Sequence, residues 1–95
     1  MFILSLSYIK PLDEVDQHLE AHRNWLKGAY QAGVVLASGP KNPRDGGVIL
    51  CRLADPELVS AFIEQDPFHQ AGVASYEVIE FTATLAAEGL ERLLD

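Results

Sequence analysis

The sequence predicts an α+β fold of the ferredoxin-like kind, with element order βαββαβ and a four-stranded antiparallel sheet. Three observations predict it. Four short apolar segments read as strands, the first and last with a period of two. Two intervening segments carry apolar residues at helical spacing. The two middle strands are joined by a loop short enough for an antiparallel hairpin.

The first strand is Phe2-Ile3-Leu4-Ser5-Leu6-Ser7-Tyr8-Ile9, where one parity gives Phe, Leu, Leu, Tyr and the other Ile, Ser, Ser, Ile. This apolar opening lacks a basic flank and a small-residue cleavage site. It is also too short to span a bilayer, so it reads as a strand and not as a signal or anchor. Pro11 ends it. Asp13 then caps a helix running to about Ala32, with Glu14 and Asp16 near its positive end and Gly33 as the stop. Val34 to Ala37 is the second strand, and it runs into the turn-rich Ser38-Gly39-Pro40-Lys41-Asn42-Pro43-Arg44-Asp45-Gly46-Gly47. Val48 to Leu53 is the third. Asp55 or Pro56 opens a second helix with Leu58, Ala61, Phe62 and Gln65 on one face. Tyr76 to Thr82 alternates as the fourth strand. The tail, residues 84–95, has Ala86, Leu90, Leu93 and Leu94 at helical spacing and is expected as a helix weakened by Gly89.

With 95 residues, 48% of them apolar, the chain accommodates one domain over 1–95. Asp and Glu number 14 against 7 Lys and Arg, for a formal charge of −7, and the basic residues are scattered. Nucleic acid and anionic membranes, which need clustered positive charge, are therefore not expected as partners. The single cysteine, Cys51, allows no internal disulfide, which fits a cytoplasmic protein. Two helices cover only one face of a four-stranded sheet. The apolar residues left on the other face predict a homodimer through that face, with room for a higher assembly.

Candidate chemistry gathers at three element boundaries. Val15, Leu19, Leu26 and Ala29 form the apolar stripe of the first helix, and His22 falls in its middle. A ring buried there must find hydrogen-bond partners. A backbone carbonyl would satisfy it. So would a carboxylate, which would hold one ring nitrogen and present the other to a ligand. Asp66 is the candidate carboxylate: it ends the second helix, and Pro67 pushes it out of helical geometry. Phe68 would exclude water there. Asp66-Pro67-Phe68 is equally a plain helix terminator with an apolar plug. Ser38-Gly39-Pro40 leaves the sheet edge with a hydroxyl and an approachable backbone, or makes an ordinary turn.

In this order and spacing, His22 on a helix, Ser38-Gly39-Pro40, Gly46-Gly47 before a strand and Asp66-Pro67-Phe68 resemble the YciI-like (YCII-related) family, from the first strand to Phe81. The resemblance implies a dimeric α+β barrel of ferredoxin-like protomers. It also implies a catalytic dyad of His22 and Asp66 in a pocket lined by Ser38, Gly39 and Pro40, to which Phe68 is added as a substrate-binding residue. Family members often carry an arginine about one turn before the helical His, and residues 16–22 offer none. If that arginine holds an anionic substrate in the family, the contact is lost or relocated here. Arg23 and Lys27 follow on the helix, and neither is assigned that part.

His18 and His22 have the i, i+4 spacing of helical metal ligands, but Leu19 replaces the glutamate of an H-E-x-x-H pattern and no metal is expected, with His69 or Asp66 the only further ligands in view. Cys51, in mid-strand, reads as a small core residue. Tyr8 is able to reach a pocket or an interface. The glycines of residues 38–47 lack phosphate-loop spacing, no motif points to redox chemistry, and no cofactor is called for.

The function read from these residues is a small cofactor-independent enzyme. His22 moves a proton and Asp66 orients it, in an isomerisation or elimination on a small cyclic or aromatic carbonyl compound. The alternatives are a dimeric module that binds a small molecule without transforming it, and an interaction protein whose sheet face matters more than its pocket.

Overall fold

The computed structural model describes residues 1–95. Strand β1 is Phe2–Tyr8, β2 Val35–Pro40, β3 Gly46–Cys51 and β4 Ala74–Glu80. Helices α1 (Leu12–Asp16) and α2 (Leu19–Gln31) connect β1 to β2, while α3 (Pro56–Glu64) and α4 (Pro67–Gln70) connect β3 to β4. The sheet order is β2-β3-β1-β4, antiparallel throughout.

Register explains the core. Leu4 lies opposite Ile49 on β3 and Val78 on β4, Phe2 opposite Cys51, and Leu6 opposite Gly47 and Tyr76. Residues paired this way share one face. That face carries Phe2, Leu4, Leu6, Ile49, Cys51 and Ala74 into a buried cluster with Val15, Ala29, Val59, Ile63, Phe68 and Val73. Gly46 packs directly against the β1 backbone: a Cβ there would fall 1.9 Å from the Leu6 carbonyl oxygen, so only glycine fits.

The structure corrects several expectations. The dimeric α+β barrel is overturned, because the sheet is open. Its edges, β2 and β4, lie at opposite ends of the strand order and do not pair. The first helix is split. Backbone bonds tighten to i→i−3 at Gln17 and His18, and α2 begins afresh from the His18 carbonyl. Asp13 lies inside the first turn, where the Pro11 carbonyl already accepts the first helical bonds.

Helix α3 opens as its sequence suggests, with the Asp55 carboxylate accepting from Leu58 N at 2.9 Å and Pro56 in the first turn. It buries Val59 and Ile63, however, and leaves Leu58 47% exposed. Adjacent apolar stripes coexist in Leu58-Val59-Ser60-Ala61-Phe62-Ile63, and packing against the sheet selects the one with Val59 and Ile63. The tail holds one 3-10 turn, Glu91–Leu93, in place of a helix. Gly89, at φ 89, lies outside helical geometry, and Arg52 instead binds the tail by donating to the carbonyls of Arg92 and Leu94. No helix is long and apolar enough to cross a membrane.

Candidate functional site

Helix α2 packs on the sheet through His22 and Ala29, with Leu19 and Leu26 partly buried beside them. This places an imidazole in the apolar layer. The carboxylate it meets comes from the junction of α3 and α4. Asp66 is extended (φ −70, ψ 123) before Pro67 and caps α4, its Oδ1 accepting from Phe68 N at 3.0 Å. His22 Nδ1 lies 2.7 Å from the same oxygen. The Tyr76 hydroxyl, reaching in from β4, donates to Oδ2. His22 (8% exposed) and Asp66 (0%) are the only polar residues in the buried set, and they bond each other.

Three hydrogen bonds to one carboxylate satisfy its oxygens, and this offsets the cost of taking it out of water. Asp66 is the acceptor, so Nδ1 is the nitrogen that carries a proton toward it, and in the neutral imidazole the lone pair is then on Nε2. Nε2 has no protein partner, yet it is not among the sealed, unpartnered atoms, so it keeps an open approach. Burial, and secondarily the negative charge and hydrogen bond of Asp66, hold the Tyr76 hydroxyl well above the ordinary tyrosine range, which keeps it a donor.

His22 opens on a cavity of about 320 Å³. Phe68, Ser38, Gly39 and Pro40 line it too, together with Tyr8, Arg23 and Arg44. Of the residues expected for the dyad and its pocket, all but one line the cavity: Asp66 has no surface on it and reaches it only through His22. Phe68 fixes the ring plane by stacking on His22, with centroids 3.9 Å apart and planes within 6°, while Tyr8 packs edge-on against Phe68 at 5.9 Å. The Ser38 hydroxyl is 2.6 Å from that of Tyr30.

Other candidates lie apart. His18 begins α2, and His69 stands edge-on to Tyr76 at 6.3 Å. No three His, Cys, Asp or Glu side chains gather as a metal would require. Cys51 is buried between Phe2 and Val35 on neighbouring strands, and burial raises its thiol. Tyr76 and Arg44 went unnoticed in the sequence. Tyr76 carried a usable signal, since it shares the inward parity of the last strand. Arg44 carried none, since a loop residue has no periodicity to place it.

Among solved structures, 5-chloro-2-hydroxyhydroquinone dehydrochlorinase (TftG) from Burkholderia phenoliruptrix AC1100, in complex with 2,5-dihydroxybenzoquinone, superimposes with a TM-score of 0.73 at 20% identity, over 87% of this chain and 95% of that one. At that identity the likeness is one of fold. Among curated proteins none matches. The family model of the YCII-related domain matches residues 1–82, a span that runs from the first strand through Asp66 and Tyr76, and the chain belongs to that family.

Proposed function

We propose that the protein is a small enzyme in which His22 Nε2 takes a proton from a small cyclic or aromatic carbonyl compound. Asp66 orients the ring and balances the imidazolium charge. The observation that carries this reading is the buried contact of 2.7 Å between His22 Nδ1 and Asp66 Oδ1, behind a ring whose other nitrogen opens on a cavity. Proton removal beside a carbonyl sends the C–H electron pair toward the carbonyl oxygen. The charge is discharged either by loss of a leaving group, which is elimination, or by return of the proton from His22 to another atom, which is isomerisation. A neutral imidazole is able to take the proton, and the imidazolium it becomes is able to return it.

Ser38, Gly39, Pro40 and Phe68 form the walls in this reading, with Ser38 donating to a substrate oxygen while accepting from Tyr30. A volume of about 320 Å³ suits one six-membered ring, at the lower end of ligand sites. The name of the structurally similar TftG describes loss of hydrogen chloride from a chlorinated hydroxyhydroquinone, so substituted hydroquinones and quinones are the first compounds to assay. His22→Ala and Asp66→Asn should lower turnover of an active compound by about a hundredfold or more. Turnover near wild type in either variant would refute the dyad.

We also propose that two copies pair through the sheet face away from the helices. Ile3, Leu50 and Val48 share that face with Ile79, and Val48 and Ile79 are well exposed. Sedimentation should give a dimer that Ile79→Lys converts to monomer. A wild-type monomer at micromolar concentration would rule this out.

A further inference from the structure

The chain carries 14 acidic residues against 7 basic ones, yet the cavity in front of His22 is lined by two arginines and by no Asp or Glu. Arg23 follows His22 on α2, and together with Leu19 and Leu26 the two occupy positions i, i+3, i+4 and i+7 of one helical face turned to the cavity. Arg23 makes no ion pair and no hydrogen bond within the protein, unlike Arg44 and Arg52. Arg44, from the β2–β3 loop, is held by Asp16 at 2.6 Å and lies 5.8 Å from the centroid of the Tyr8 ring. One cation is thus fixed at the cavity, and a second beside the reactive ring has its donors free. An arginine fork presented this way matches a carboxylate or a ring oxyanion.

We propose that the cavity selects an oxyanionic ligand, with Arg23 as the residue that binds the anion and Arg44 supporting the field on the loop side. This rests on the reading of the cavity as the substrate site, and it narrows the substrate to compounds bearing a carboxylate or an ionised ring hydroxyl. It also gives Arg23 a part in the chemistry. When Nε2 takes a proton, the electron pair left behind settles on the substrate oxygen, and a guanidinium on the same helix face favours that charge.

Benzoate and its neutral isostere benzamide test the proposal, with binding read by NMR from the His22 ring signals. Benzoate should bind at least tenfold more tightly than benzamide and weaken as salt is raised. Arg23→Gln should lower benzoate affinity on the order of tenfold and leave benzamide unchanged, and Arg23→Lys should restore part of the loss. Arg23 is exposed and unpaired, so these variants should keep the fold. Equal binding of the two probes, or benzoate binding indifferent to Arg23, overturns charge selection and leaves the cavity as the site. If neither probe moves the His22 signals at millimolar concentration, both the inference and the substrate-site reading fall.

Discussion

Replacing Asp66 tests how much of the fold hangs on the site. In the wild type its carboxylate satisfies Phe68 N–H, His22 Nδ1–H and the Tyr76 hydroxyl at zero exposure. Asp66→Ala strands all three. Phe68 N–H has no other acceptor within reach and costs about 1–3 kcal/mol, while the ring and the partly exposed Tyr76 hydroxyl relax and cost about 1 kcal/mol each. Loss of a buried charge acts the other way by removing its desolvation cost, but the orphaned donors remain and decide the sign. The net loss is about 3–5 kcal/mol, out of the roughly 5–15 kcal/mol typical of a domain.

Asp66→Asn differs. Its carbonyl oxygen is best placed at the Oδ1 position, where two donors already point, and the Tyr76 hydroxyl rotates to accept from the amide. Only the charge is lost, at about 1–2 kcal/mol. Urea denaturation followed by circular dichroism should therefore place the asparagine midpoint roughly 1–4 M above the alanine one, for a slope near 1 kcal/mol/M. Ring ¹⁵N shifts should report the Nδ1–H tautomer in wild type and Asn alike. If alanine and asparagine cost the same, or each costs under about 1 kcal/mol, the three-donor account is wrong.

Tyr76→Phe should destabilise by about 1–2 kcal/mol at neutral pH through the lost bond to a buried carboxylate. Because the folded value of Tyr76 is raised, its protonation supports the fold below the ordinary tyrosine value of about 10 and that support is lost as pH rises beyond it. One tyrosine of the wild type should accordingly ionise only as the protein unfolds in alkali, seen as a tyrosinate absorbance step that Tyr76→Phe lacks; the same step in both proteins would contradict the assignment. Gly46→Ala should unfold the protein or cost more than about 3 kcal/mol, because its Cβ would meet backbone at Leu6 with no flexible group to yield. A thermal midpoint within a few degrees of wild type would show that β1 and β3 separate more easily than the register suggests.

Legibility followed how strongly each physical signal is local. Alternation in Phe2-Ile3-Leu4-Ser5-Leu6 named the buried parity, because a strand has only two faces to choose between. His22 stood out because a polar ring inside a stripe of Val15, Leu19, Leu26 and Ala29 contradicts its surroundings. Asp66 before Pro67 was readable as a carboxylate outside helical geometry. Phase within an apolar run was not readable. Leu58 and Val59 are neighbours of similar hydropathy, and burial of the second depends on packing against the sheet. The helical spacing of the tail likewise gave way to the positive φ of Gly89 and the hold of Arg52. The inward parity of Tyr76 was readable, but its reach to Asp66 depends on the pairing of β1 with β4, a contact between distant parts of the chain.

One consequence of this arrangement governs any experiment on it. The oxygen of Asp66 that holds His22 also caps α4, so the carboxylate that would tune the imidazole also fixes the turn from which Phe68 stacks on it. Orientation of the ring therefore has two supports with one origin: the bond to Nδ1 sets its rotation, and the stacked Phe68 sets its plane. A variant that removes the carboxylate loosens both at once, and lost turnover in it would not separate chemistry from geometry. Asparagine keeps the cap and the plane while removing the charge. Phe68→Leu keeps the charge and the cap while removing the stack. If the charge of Asp66 matters most, Asn should lose about a hundredfold or more and Leu little; if the stacked plane matters as much, Leu should lose turnover comparably to Asn.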